Sequence, residues 1–148
     1  MDNIDQALDL LCRHVMAEMG KTTTTSTDEL RAYGATHYPT GFFAGVYAAD
    51  QSPPTLAHRN FYVQNTDPST EPGTHWVAIA REPGYTDLLF DSFARKPSHA
   101  FLPHLRGRVE LTESDVDQHP RDSTHCGQLC LAFGHIFERY GRSAALLC

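Results

Sequence analysis

Four side chains in this sequence have the types needed to run one reaction together: a cysteine, a histidine, an aspartate and a glutamine. Cys126 stands in His125-Cys126-Gly127-Gln128-Leu129-Cys130, at the entrance of an amphipathic segment where Leu129, Phe133 and Phe137 recur every four residues. A helix N-terminus carries partial positive charge, which favours a sulfur anion, the form of cysteine that attacks a carbonyl carbon. Gly127 leaves room for a substrate backbone to approach that terminus. His75, beside the single tryptophan Trp76, is the candidate base. Asp91 follows at the end of the next apolar run, where a hairpin would bring its carboxylate to the imidazole and hold the ring tautomer. Gln118 lies upstream of the cysteine, and its amide, with the backbone N–H of Cys126, suits a developing oxyanion. The chemistry of such a set is acyl transfer to sulfur followed by hydrolysis.

Each member alone also fits a duller role. Cys126 suits a small core position, Asp91 a strand-ending cap, Gln118 a solvated loop, and His75 is one of nine histidines. A metal site is the chemical rival, since His125, Cys126, Cys130 and His135 fall within one short stretch. On a helix the nine residues from Cys126 to His135 advance about 900°, which puts the two on opposite faces. No CxxC pair accompanies them. Neither a metal nor another cofactor is expected, and Cys130, one turn on, is expected to pack inward.

The elements that must position these residues are legible from periodicity. Ile4, Leu8, Leu11, Val15 and Met19 form one face of a helix over residues 3–19, ended by Gly20, with Cys12 beside the stripe as a packing residue. Lys21 to Thr25 is a threonine-rich connector without regular structure. Ser26 and Glu29 make a capping box for a short second helix, which Gly34 is expected to end. Phe42–Tyr47 and Phe61–Asn65 suit strands, with Pro53-Pro54 breaking the chain between them. Thr74–Ala80 reads as a buried strand, Pro83-Gly84 as a turn and Asp87–Asp91 as the returning partner. Residues 94–108 read as loop, Val109–Leu111 as an edge strand and 115–124 as a polar connection. The last long helix runs from Cys126 to about Tyr140, with Gly141 as its stop. The expected fold is α+β: a mixed central sheet flanked by helices, with the cysteine at the N-terminus of a buried helix.

A chain of 148 residues, 41% of them hydrophobic, is long enough for one domain with a real core. The domain divides into an N-terminal helix over 1–20 and a catalytic core over 26–141. Net charge is −6, with acidic and basic residues interspersed and no basic block of the kind that marks nucleic-acid binding. No apolar run reaches the roughly 18 residues that cross a bilayer, and the acidic N-terminus is not a signal peptide. The four cysteines form no disulfide framework, so reduced thiols and an intracellular setting are expected.

With these residues in view, the chain resembles the adenovirus-type cysteine proteases (adenains), in the clan of the ubiquitin-like-protein proteases. The resemblance spans residues 26–140. It rests on Phe42-Phe43-Ala44-Gly45-Val46-Tyr47, Val63-Gln64-Asn65-Thr66, Gly73-Thr74-His75-Trp76-Val77-Ala78, Leu89-Phe90-Asp91-Ser92-Phe93, Gln118-His119-Pro120 and Cys126-Gly127-Gln128-Leu129-Cys130. It implies Cys126 as nucleophile, His75 as general base, Asp91 as its orienting carboxylate, Gln118 as oxyanion donor and Trp76 lining the site. It also implies a thiol endopeptidase that cuts viral capsid or core precursors at glycine-containing sites during virion maturation, in the host cell and the virion. The chain departs from the adenain pattern in three places. Asp91 replaces the usual Glu, as in the ubiquitin-like-protein proteases; Gln118 is one position further from the cysteine; and the helix over 3–19 has no counterpart. Adenains can be stimulated by DNA and by a disulfide-linked viral peptide. The acidic charge and the absence of cysteine from residues 100–117 argue against either activator in that form. Two other functions fit the same residues: removal of ubiquitin-like modifiers, and a catalytically idle domain kept for binding capsid or host protein.

Overall fold

The computed structural model describes residues 3–66, 75–92, 109–113 and 125–148. In chain order these form helices α1 (Asn3–Met19) and α2 (Thr27–His37), then strands β1 (Phe43–Tyr47), β2 (Asn60–Asn65), β3 (Trp76–Arg81), β4 (Asp87–Phe90) and β5 (Val109–Leu111). Helices α3 (Cys126–Tyr140) and α4 (Arg142–Leu146) complete the chain. The five strands make one sheet in sequence order. The inner pairs β2–β3 and β3–β4 are antiparallel, and the outer pairs β1–β2 and β4–β5 are parallel. The architecture is therefore α+β with a mixed five-stranded sheet, as the sequence suggested.

The central strands are buried on both faces, and alternation splits their side chains in two. Phe61, Val63, Trp76, Ala78, Ala80, Leu88 and Phe90 join the main core with α1, α2 and α3. Tyr62, Val77, Ile79 and Leu89 form a smaller cluster on the opposite face. The β3–β4 connection is the expected Pro83-Gly84 turn, closed by the Tyr85 N–H donating to the Glu82 carbonyl. Its register sets Ala78 opposite Phe90 and Ala80 opposite Leu88. The end of β4 is thereby carried back to the start of β3.

Helix α3 is the centre of the packing. All twelve residues from Cys126 to Phe137 are buried, because the helix meets the sheet on one side and α1 on another. Leu8, Cys12 and Val15 of α1 are its buried residues, so Cys12, expected beside the stripe, is buried where Leu11 is only partly buried, along with Ile4 and Met19. Gly141 ends α3, its N–H donating to the Phe137 carbonyl.

Three expectations need correction. Helix α2 does not stop at Gly34 but continues to His37. That glycine is a packing residue: a Cβ there would run into the Phe43 ring, so the bare Cα lets strand β1 close on the helix. His75 lies one residue before β3 rather than inside it, although its carbonyl still accepts from the Thr66 N–H at 3.0 Å. The chain also forms α4 after Gly141, burying Ala145 and the terminal Cys148. The expected loops over 94–108 and 115–124 lie outside the described residues, as do Gly73, Thr74, Phe93 and Gln118. Among the described residues no helix is long and apolar enough to cross a membrane.

Candidate active site

Three of the four predicted chemical residues meet at one place. His75 sits immediately before β3 and Asp91 immediately after β4, so the hairpin register brings the two strand ends together. Their side chains are hydrogen-bonded, Nε2 to Oδ1, at 2.6 Å. Both groups are buried, His75 at 2% exposure and Asp91 at 7%. A carboxylate can only accept, so the proton in this bond belongs to Nε2, and the imidazole is held in one orientation.

The Cys126 thiol lies close enough to the same ring to act on its charge. Helix α3 delivers it there as the first residue after the N-cap His125, whose side chain makes no capping hydrogen bond. The N–H groups of the first turn therefore face the thiol's surroundings without an intrahelical acceptor. Electrostatics follow from this crowding. Burial acts most strongly on His75 and opposes the charged ring, but the hydrogen bonds and charges of Asp91 and Cys126 outweigh it. The net effect is to push the imidazole up to about 9. At neutral pH the site therefore favours an imidazolium between a carboxylate and a sulfur.

The other thiols are different in kind. Burial pushes Cys12 up to about 12 and Cys130 well above the ordinary thiol value. Both belong to the main core, as the sequence suggested for Cys130 and Cys12. His135, which shares the Cys126 stretch in sequence, lies elsewhere: its Nε2 is hydrogen-bonded to the Tyr33 hydroxyl at 2.7 Å. Burial, helped by the Arg139 charge, lowers this ring to about 4 and keeps it neutral. Among the described residues no group of three or more His, Cys, Asp or Glu side chains is placed to hold a metal ion.

Trp76 and Gly127, named from the sequence as substrate-side residues, touch a part of the chain that composition alone had marked as a mere connector. The Trp76 indole N–H donates to the Thr25 carbonyl at 3.2 Å. A Cβ on Gly127 would collide with the Thr25 hydroxyl, so that face of the helix entrance is covered by the 21–25 segment. Gln128, two residues past the cysteine and fully buried, donates to the carbonyls of Thr23 at 2.8 Å and Lys21 at 3.4 Å. Its one visible signal in the sequence was that it is the lone polar side chain among the first nine residues of α3. Gln118 lies outside the described residues.

The chain matches no protein-family model and no curated protein.

Proposed function

We propose that this protein is a thiol endopeptidase of adenain type, within the clan of the ubiquitin-like-protein proteases. One observation carries the reading: an imidazole bonded to a buried carboxylate at 2.6 Å stands within electrostatic reach of a thiol at the entrance of the central helix. In the proposed reaction the Cys126 sulfur attacks the scissile carbonyl while His75 holds the proton. The tetrahedral oxyanion takes hydrogen bonds from the Cys126 N–H and, by the resemblance, from Gln118. His75 then gives its proton to the leaving amine, the C–N bond breaks, and a thioester remains on Cys126. A water molecule, deprotonated by the now neutral His75, attacks the thioester and releases the carboxylic acid and the thiol. Asp91 keeps the imidazole aimed throughout and stabilises its charged form.

The substrates we propose are viral precursor proteins with extended, glycine-containing sites, cut in the host cell or virion. Neither a metal nor another cofactor enters this chemistry. The Asp at position 91 favours one second reading, a protease for ubiquitin-like modifiers, because that branch of the clan carries Asp where adenains carry Glu. A library of fluorogenic glycine-containing peptides tests the first reading, and a ubiquitin-like protein with a C-terminal propargyl group tests the second. Turnover that disappears in Cys126→Ala, without labelling by the propargyl probe, supports the endopeptidase. Labelling at Cys126 moves the assignment to the modifier protease. Peptide cleavage that persists in Cys126→Ala rejects both.

A further inference from the structure

The residues next to the two reacting groups grip one and the same segment. Trp76 follows His75 in the chain, and its indole N–H holds the Thr25 carbonyl. Gly127 and Gln128 follow Cys126. The first presents a bare Cα to Thr25, and the second holds the carbonyls of Thr23 and Lys21. The three gripped carbonyls belong to residues 21, 23 and 25, so every second carbonyl of the segment is held from the protein side. Further along, Lys21 is tied to Glu29 at 2.7 Å, and Glu29 also closes the capping box of α2. Residues 21–25 are thus a strap fixed at both ends, joining the strand end that carries His75 to the helix end that carries Cys126.

We propose that Gln128 is a positioning residue of the active centre: by clamping the strap, it sets the orientation of the α3 entrance and so the approach of the Cys126 sulfur to His75. This rests on the peptidase reading above. Gln128 is fully buried and its Oε1 accepts no hydrogen bond among the described residues, so the contribution of the amide lies in its N–H donors. An apolar side chain of the same length would remove the unmet Oε1 but would also take from the Thr23 and Lys21 carbonyls the donor they share. What an apolar side chain would not supply is a pair of N–H donors aimed at two alternate carbonyls of the strap.

The test is a double-mutant cycle on the rate of Cys126 alkylation by iodoacetamide at pH 7.5, followed by mass spectrometry of the intact chain. The four proteins are wild type, His75→Gln, Gln128→Met and the double variant. Wild type should react about tenfold or more faster than His75→Gln, because the imidazolium supports the sulfur anion. Gln128→Met should lose most of that advantage in the wild-type background and change the rate by less than about twofold in the His75→Gln background. A purely structural role would change both backgrounds equally, and that result would overturn the proposal while leaving the peptidase reading intact. A His75→Gln rate equal to wild type would overturn the reading and the proposal together. Leu8→Ala, which loosens the α1–α3 packing without touching the strap, serves as the stability control and should keep the wild-type His75 dependence. If Gln128→Met does not fold, Trp76→Phe removes the other grip on the strap. It runs through the same cycle with the same expected and overturning results.

Discussion

Replacing Asp91 by Asn removes one negative charge from a buried site and leaves its shape almost unchanged. The amide oxygen can still accept from His75 Nε2, so the ring keeps an orienting partner. What is lost is the charge assistance of a 2.6 Å bond between groups that are both nearly inaccessible to water. Hydrogen bonds to charged groups contribute about 1.5–3 kcal/mol, and each pKa unit corresponds to about 1.36 kcal/mol. The imidazole, held up at about 9 in the wild type, should therefore titrate about one to two pH units lower. The same loss in the transition state lowers kcat/KM about 10- to 100-fold. Nitrogen-15 NMR of the histidine rings follows the titration directly, and peptide cleavage across pH follows the rate. In the rate profile the alkaline limb, which reports loss of the imidazolium proton, should move to lower pH in Asp91→Asn. An unchanged His75 titration would refute this reasoning even if activity fell, because it would mean that the carboxylate is not what holds the ring charged.

Other outcomes follow from the same structure. The raised His75 value makes its contribution to stability fully present below pH 6.5 and lost as pH rises through 9. The unfolding free energy of the wild type from denaturant titration, measured against His75→Gln, should therefore fall across that window by up to about 3 kcal/mol. His135 has the opposite sign. Its ring is depressed to about 4, so its contribution is present above 6.5 and lost as pH falls through 4. Tyr33→Phe, which removes the hydroxyl bonded to the His135 Nε2, should cost about 1–3 kcal/mol at pH 7 in a urea titration. Gly134→Ala sets two effects against each other. Alanine is the better helix former by about 1 kcal/mol, but its Cβ would meet the Phe61 ring, which has no exposed surface through which to move aside. Overpacking of a tight core costs about 1–3 kcal/mol, so the net effect on the thermal midpoint should be a decrease.

How much of this could be read from the sequence differed by residue. The α1 stripe was legible because one buried face imposes a period near four, which Leu8 and Val15 keep, whereas α3 was legible as a long apolar segment buried all round from Cys126 to Phe137. The His75–Asp91 meeting was legible because a Pro-Gly turn fixes a hairpin and hence which strand ends lie side by side. The parallel pairing of β1 with β2 left no comparable mark, since direction across twelve intervening residues is set by tertiary packing rather than by a turn. The role of Gly34 was misread because a helix stop and a close approach by another element both demand glycine, and only the Phe43 ring distinguishes them. The strap was illegible for a simpler reason. A run of threonines has no period, and its order comes from Trp76 and Gln128, which are distant in sequence.

The central claim, that the Cys126 sulfur forms a covalent acyl intermediate with His75 as its proton partner, has a direct test. A glycine-containing peptide thioester would be mixed with the protein for milliseconds, quenched in acid and analysed by peptide mapping. The account predicts an acyl adduct on Cys126 in the wild type, at least tenfold less in His75→Gln, and none on Cys12, Cys130 or Cys148. Equal acylation with and without the His75 imidazole, or an adduct spread over the other thiols, would contradict it.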